Sequence, residues 1–233
     1  MRPLELEQRG LPAQIAGEIG RRITLGEYKP GDFLPKELEF LDALNVSRTT
    51  LREALAILTT KGFIEAKPRL GTRVRAPEFW NTLDPLVLSW HSDAPDQAAV
   101  IEELFELRMA IEPLAAKLAA RHGTSVEHEK IRQAYVQMTD LTTSVARAIE
   151  ADIEFHLSIF QASHNRFLLP VTSVIRAALT VSIPKTMASA HDQLASLRKH
   201  EEILLAIENK DEKMSFFKCE TLIKETYKRN FEI

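Results

Sequence analysis

The chain has 233 residues, 45% of them hydrophobic and 27% charged, with a net charge of −3, which suits a soluble protein made of a small module joined to a larger one. No run approaches the roughly 18 apolar residues of a membrane span, the opening MRPLELEQRG lacks a signal peptide's apolar stretch, and a single cysteine, Cys219, excludes an internal disulfide. Together these favour a cytoplasmic protein. Residues 1–76 carry 13 Lys and Arg against 10 Asp and Glu, leaving 17 against 23 for residues 77–233, so a basic front precedes an acidic body.

In chain order, Ile15, Ile19 and Ile23 recur at helical spacing until Gly26 and the turn Lys29-Pro30-Gly31, which predicts a first helix. A short second helix is expected over LPKELEFLDALN, with Pro35 in its first turn and Leu38, Leu41 and Leu44 as its apolar stripe. Ser47 is a good N-cap for a third helix beginning at Arg48, with Val46 and Leu51 placed for a hydrophobic staple. Leu51, Ala54, Leu55 and Leu58 then form one face, turning Arg48, Thr49, Arg52 and Glu53 outward. After Gly62, two short strands are predicted at Phe63–Lys67 and Thr72–Arg75, around a turn that places Arg69 and Arg73 near its tip. Three helices and a basic hairpin make a winged helix-turn-helix of residues 1–76, the first domain of a mostly α-helical protein.

Residues 77–95 contain three prolines and two tryptophans and read as a packed connector with a short helix after Asp84; Trp80 and Trp90 are expected to pack rather than to stack on a sugar. From 96 to 233 the pattern predicts helices over about 96–122, 125–142, 145–162, 165–187, 190–209 and 211–230, a bundle of six or seven without strands.

A recognition helix enters the major groove by its N-terminal end, so Arg48 and Arg52, one turn apart, are candidates for guanine edges or phosphates. Thr49 and Thr50 lie among free helix N–H groups that favour anions. The alternative is a solvated face.

Residues 11–76 resemble the GntR family of bacterial transcription regulators, in its FadR-type branch. The resemblance rests on Tyr28-Lys29-Pro30-Gly31, Leu34-Pro35-Lys36-Glu37, Val46 through Leu55, Gly62-Phe63-Ile64-Glu65 and Gly71-Thr72-Arg73-Val74. It implies DNA contacts from Arg48, Thr49, Thr50 and Arg52, with Gly71 at the wing tip near the minor groove and Arg73 beside it. Leu38 departs from the pattern, which usually has an arginine there.

The resemblance continues over Glu106 to Glu112, Asp152 to His156, Ser163-His164-Asn165, and His200 to Asp211, which are similar to the family's all-helical FCD effector domain. It implies a central cavity for a small carboxylate effector, commonly with a divalent metal. Asp152 and His156, four apart on one helix, and His200 from another could ligate one ion, with zinc, nickel or manganese suited to two nitrogens and an oxygen. The usual fourth histidine is Leu222 here, and Cys219, water or effector oxygens are candidates for the open place. The alternatives are an i,i+4 charge pair with a core histidine, and an ion-free pocket. Arg108 is implied as a carboxylate clamp, the alternative being a salt bridge. Asn165 would meet an effector hydroxyl or cap a helix.

The connector and the absent fourth histidine look most like the branch that includes the galactonate-operon repressors. The reading is thus a homodimeric repressor of a sugar-acid operon, bound to a double-stranded, palindromic DNA operator and released by an aldonate or hexuronate. Lactate-like hydroxy acids and dicarboxylates are alternative effectors. Two rival functions are a metal-dependent hydrolytic enzyme built on Asp152, His156 and His200, for which Glu154 is a poor base on the opposite helix face, and a DNA-architectural protein whose helical domain only dimerises.

Overall fold

Ile15, Ala16, Ile19 and Ile23 are buried along one side of the first helix, α1 (Leu11–Thr24), which Pro12 starts and the left-handed Gly26 follows. The computed structural model describes residues 10–91, 94, 97–140, 144–186 and 190–231. The opening nine residues, where no signal-peptide pattern is expected, and the connector's last residue, Pro95, lie outside them.

The chain divides into two compact units, the first reaching Ala98 and the second starting at Ala99. In the first, α2 (Glu37–Leu44) and α3 (Arg48–Thr60) follow α1. Pro35 stands before α2 rather than in its first turn, because the extended Lys36 is the N-cap. The expected stripe also needs correction: Leu38 is 63% exposed, and Phe40, at 3%, carries the burial. Ser47 accepts the Thr50 N–H at 3.1 Å and starts α3 as expected. Leu51, Ala54 and Leu58 are fully buried beneath it, with Leu55 partly so.

The wing pairs β1 (Ile64–Lys67) with β2 (Gly71–Val74) antiparallel, Ile64 opposite Val74 and Glu65 opposite Arg73. The segment before α2 joins them, since Gly31 donates to the Val74 carbonyl, Val74 to Asp32 and Leu34 to Thr72. Gly62 takes φ +81°, and a Cβ there would stand 2.0 Å from the Phe79 carbonyl oxygen, so this turn accepts only glycine.

The connector completes this unit's core. Asp84 caps α4 (Pro85–Trp90) by accepting from the Leu86 and Val87 N–H groups, and Lys61 pairs with the same carboxylate. Trp80 stacks on Phe63 at 4.3 Å, and Trp90 is fully buried edge-on to the same ring. The Trp90 ring lies where a Cβ on Gly20 would be, 2.4 Å away, so a residue without a side chain is what lets α4 close on α1.

The second unit is helical throughout its described residues: α5 (Gln97–His122), α6 (Ser125–Thr139), α7 (Val145–Ala162), α8 (Thr172–Thr186), α9 (Ala190–Glu208) and α10 (Glu212–Phe231). The helix expected from 165 begins at 172 instead. His164 is left-handed, Asn165 accepts the Phe167 N–H in a side-chain turn at 3.0 Å, and Leu169–Val171 forms a 3-10 turn around Pro170. Helix α6 packs on α7 and α9, α10 on α8 and α9, and α7 on α8. Ala115, Ala116, Ala119 and Ala120 give α5 a small-residue side in the same core as Phe155, Phe160, Ile203, Ile207 and Ile223. The architecture is mostly α: an N-terminal winged helix-turn-helix followed by a helical domain. Among the described residues no helix is long and apolar enough to cross a membrane.

Candidate nucleic-acid interface and metal centre

The α3 N-terminus presents the first candidate surface. Arg48 and Arg52 are 67% and 72% exposed, one turn apart, and both lie near Glu37 Oε1, at 3.9 and 3.7 Å. Pairs so long and solvated are worth little, so both guanidiniums are available to another anion. Thr49 is exposed, whereas the Thr50 hydroxyl is 2.8 Å from Ser47 Oγ within the cap. On the wing, the left-handed Arg69 and Gly71 make the turn, and Arg73 donates Nε and Nη2 to Glu65 across the hairpin, at 3.1 and 2.6 Å. Arg73 therefore reaches a phosphate only by sharing or leaving Glu65. Leu38, with no charge to offer, is exposed on α2 next to Glu37.

The second candidate lies inside the helical unit. Asp152 and His156 share one side of α7, and α9 brings His200 to them. Asp152 Oδ1 is 3.4 Å from His156 Nε2 and 3.6 Å from His200 Nε2, and the two nitrogens are 3.3 Å apart. All three residues are buried, at 7%, 3% and 2% exposure, and Oδ1 has no hydrogen bond among the described residues. A point equidistant from atoms spaced 3.3, 3.4 and 3.6 Å lies about 2.0 Å from each, within the range of metal–nitrogen and metal–oxygen bonds.

The hydrogen-bond partner of His200 agrees with that spacing. His200 Nδ1 is 2.8 Å from the Ser196 carbonyl, which can only accept, so Nδ1 carries the proton and Nε2 a lone pair. Two imidazoles and a carboxylate thus converge on a buried point that requires positive charge, supplied by an ion or by a proton on His156. The donor set fits a divalent cation. Burial would lower the His156 pKa, yet Glu112 and Asp152 outweigh it and pull the ion-free ring up to about 9. Burial likewise opposes ionisation of Asp152, but His200 and His156 hold its carboxyl well below the usual range.

The remaining expected residues are placed differently. Arg108 is buried, its Nε donating to Glu112 Oε1 at 2.6 Å, and its guanidinium lies 5.1 Å from the centre of the Phe105 ring. Asn165 uses its side-chain oxygen in the turn before α8, accepting from the Phe167 N–H. Cys219 is not among the three residues whose ligand atoms converge, and burial, reinforced by Glu112, pushes its thiol well up, away from the thiolate that binds metals. Leu222 is buried at 2%. Glu154 is ion-paired to Arg176.

Sequence reasoning missed Glu112 as a site residue. Its carboxylate, 1% exposed, bridges Arg108 to His156 Nδ1, 2.7 Å from Oε2. An i,i+4 Arg–Glu pair in an alanine-rich helix that has to be buried was the available signal, since such charges are rarely buried without a task.

Two family models match the chain: the bacterial regulatory proteins of the gntR family over residues 11–74, and the FCD domain over residues 103–215. The uncharacterized HTH-type transcriptional regulator YieP of Escherichia coli is 32% identical over 219 residues, covering 93% of this chain and 94% of that one. The galactonate operon transcriptional repressor of E. coli is 30% identical, covering 85% and 87%. Among solved structures, a GntR protein of Streptococcus agalactiae aligns with a TM-score of 0.53 at 25% identity, over 94% of this chain and 99% of that one. With a DNA-reading fold at the front and an FCD domain behind it, the chain belongs to the GntR family and is a DNA-binding transcriptional regulator of the GntR/FCD type.

Proposed function

We propose that the chain represses a sugar-acid catabolic operon and leaves its operator when a small carboxylate, an aldonate or hexuronate, binds in the C-terminal domain. The observation that carries this reading is the buried convergence of Asp152 Oδ1, His156 Nε2 and His200 Nε2, three atoms of metal-ligand type within 3.6 Å of one another. Asp152, His156 and His200 would hold a divalent cation, zinc first, with nickel and manganese as alternatives. Such an ion, with three protein ligands and no fourth histidine, offers open positions to the carboxylate and hydroxyl oxygens of a polar guest. The named galactonate operon repressor among the relatives supports a sugar acid.

Arg48, Thr49 and Arg52 enter the major groove with Thr50 fixing the cap, while Gly71 and Arg73 bring the wing to the backbone. A homodimer presents two such helices, so the operator is palindromic, with half-sites about one helical turn or a multiple of it apart. Release requires that the effector bind the DNA-incompetent arrangement more tightly than the competent one. Because Trp80, Leu86, Val87 and Trp90 pack into the core of the first unit, a strain on the connector over residues 77–95 would be felt by the DNA-binding fold.

Thermal-shift screening of the full chain against galactonate, other aldonates, hexuronates, lactate and dicarboxylates, with and without chelator, tests the reading. A sugar acid should raise the melting point, and chelator should remove the rise. A rise that chelator leaves intact would replace the metal centre with an ion-free pocket. No rise with any acid would refute the effector class.

A further inference from the structure

We propose that Glu112 is the positioning residue of the metal centre: its carboxylate, pinned by Arg108, accepts from the Nδ1–H of His156, so keeping that proton on Nδ1 and turning Nε2, lone pair free, toward Asp152 and His200. The inference rests on the three-donor reading above and extends it from the ligands to what aims them.

Glu112 Oε1 accepts from Arg108 Nε at 2.6 Å, which fixes one end of the carboxylate. Oε2 stands 2.7 Å from His156 Nδ1 at an angle short of a well-formed hydrogen bond, and has no other hydrogen-bond partner among the described residues. A bare nitrogen at Nδ1 would set two lone pairs against each other where water does not reach, so the proton belongs between them. A neutral imidazole has one N–H. Once Nδ1 holds it, Nε2 is a ligand.

His200 reaches the same state by a different route, through the Ser196 backbone carbonyl. The two ligands therefore differ: one is oriented by main chain, the other by a replaceable, negatively charged side chain that also strengthens the ring as a donor. The location of the pair points the same way. Arg108 and Glu112 are 3% and 1% exposed, and a buried ion pair recovers its desolvation cost poorly, so stability alone is a weak reason for it. Its far end lies on a ligand, which gives it work to do.

Glu112→Gln removes the charge and leaves one acceptor oxygen in place of two, enough for Arg108 or for His156 Nδ1 but not for both. Arg108→Met with Glu112→Leu removes both charges together, leaving neither buried alone. Zinc affinity, read by competition with a chromophoric chelator, should fall about 10-fold in Glu112→Gln and toward 100-fold in the double variant. In ion-free protein with nitrogen-15-labelled histidine, raised in pH until the rings are neutral, His156 should carry its proton on Nδ1 in the wild type and shift toward Nε2 in the double variant. His200 should stay on Nδ1 in both. Unchanged zinc affinity and an unchanged His156 tautomer would overturn the role of Glu112. A wild type that takes up no zinc would overturn the metal centre instead, and the tautomer measurement, which needs no ion, would still decide whether Glu112 orients His156.

Discussion

Arg52→Ala separates a DNA contact from a fold contact by size. In the free protein the Arg52 side chain is 72% exposed and its nearest carboxylate is 3.7 Å away on a half-exposed Glu37. Losing so solvated a pair costs folding no more than about 0.5 kcal/mol, and the core residues on either side, Leu51 and Ala54, are untouched. On the operator, losing a bidentate guanine contact costs about 1–3 kcal/mol, a loss of about 5- to 150-fold in affinity. A contact to phosphate alone would weaken operator and scrambled duplex alike and flatten the dependence of log affinity on log salt by about 0.9. The assay is fluorescence anisotropy with both duplexes at several salt concentrations, alongside urea unfolding. The expected result is unchanged unfolding, a large loss on operator and a small one on scrambled DNA. Operator affinity within twofold of wild type would refute the assignment, and equal losses on both duplexes would move Arg52 to the backbone.

Gly62→Ala should destabilise the first unit by about 2 kcal/mol or more in urea, because a left-handed alanine would also meet the Phe79 carbonyl; a loss under about 0.5 kcal/mol would contradict the turn. Asp152→Asn should abolish the zinc-dependent rise in melting point, worth about 2.7 kcal/mol at a hundredfold excess over Kd, and a retained rise would place the ion elsewhere. Since the ion-free His156 pKa stands above its unfolded value, its stabilising contribution is complete below about 6.5 and is lost as pH rises toward about 9. Zinc binding should strengthen over the same interval as the proton leaves. Melting of chelator-treated protein and of His156→Gln across that range checks this, and identical slopes for the two would contradict it.

Much of this was legible in the sequence because local chemistry carried it. Ser47 as a cap, Pro85 after Asp84 and the left-handed Gly62 mark boundaries by backbone requirements that neighbours alone decide. The paired spacing of Asp152 and His156 put two candidate ligands on one helix side without knowledge of the fold. Leu38 was misjudged because a stripe of three leucines describes an amphipathic helix only when it faces the core, and Phe40 took that place. Where α8 begins was hidden by the side-chain turn at Asn165. Spacing marks Glu112 only as the i,i+4 partner of Arg108; its approach to His156 depends on α5 and α7 meeting, a tertiary fact that no window of residues contains.

On the proposed function, charged groups at the start of α3 hold an operator and a guest at the Asp152, His156 and His200 cluster loosens the hold. Titrating galactonate and a hexuronate into the zinc-loaded protein on a labelled palindromic promoter fragment, with His200→Ala in parallel, tests it most directly. A sugar acid should release the wild type saturably and should release none of the variant, which should still bind the fragment. Release of both proteins alike, or a wild type that holds promoter no better than bulk competitor DNA, would contradict it.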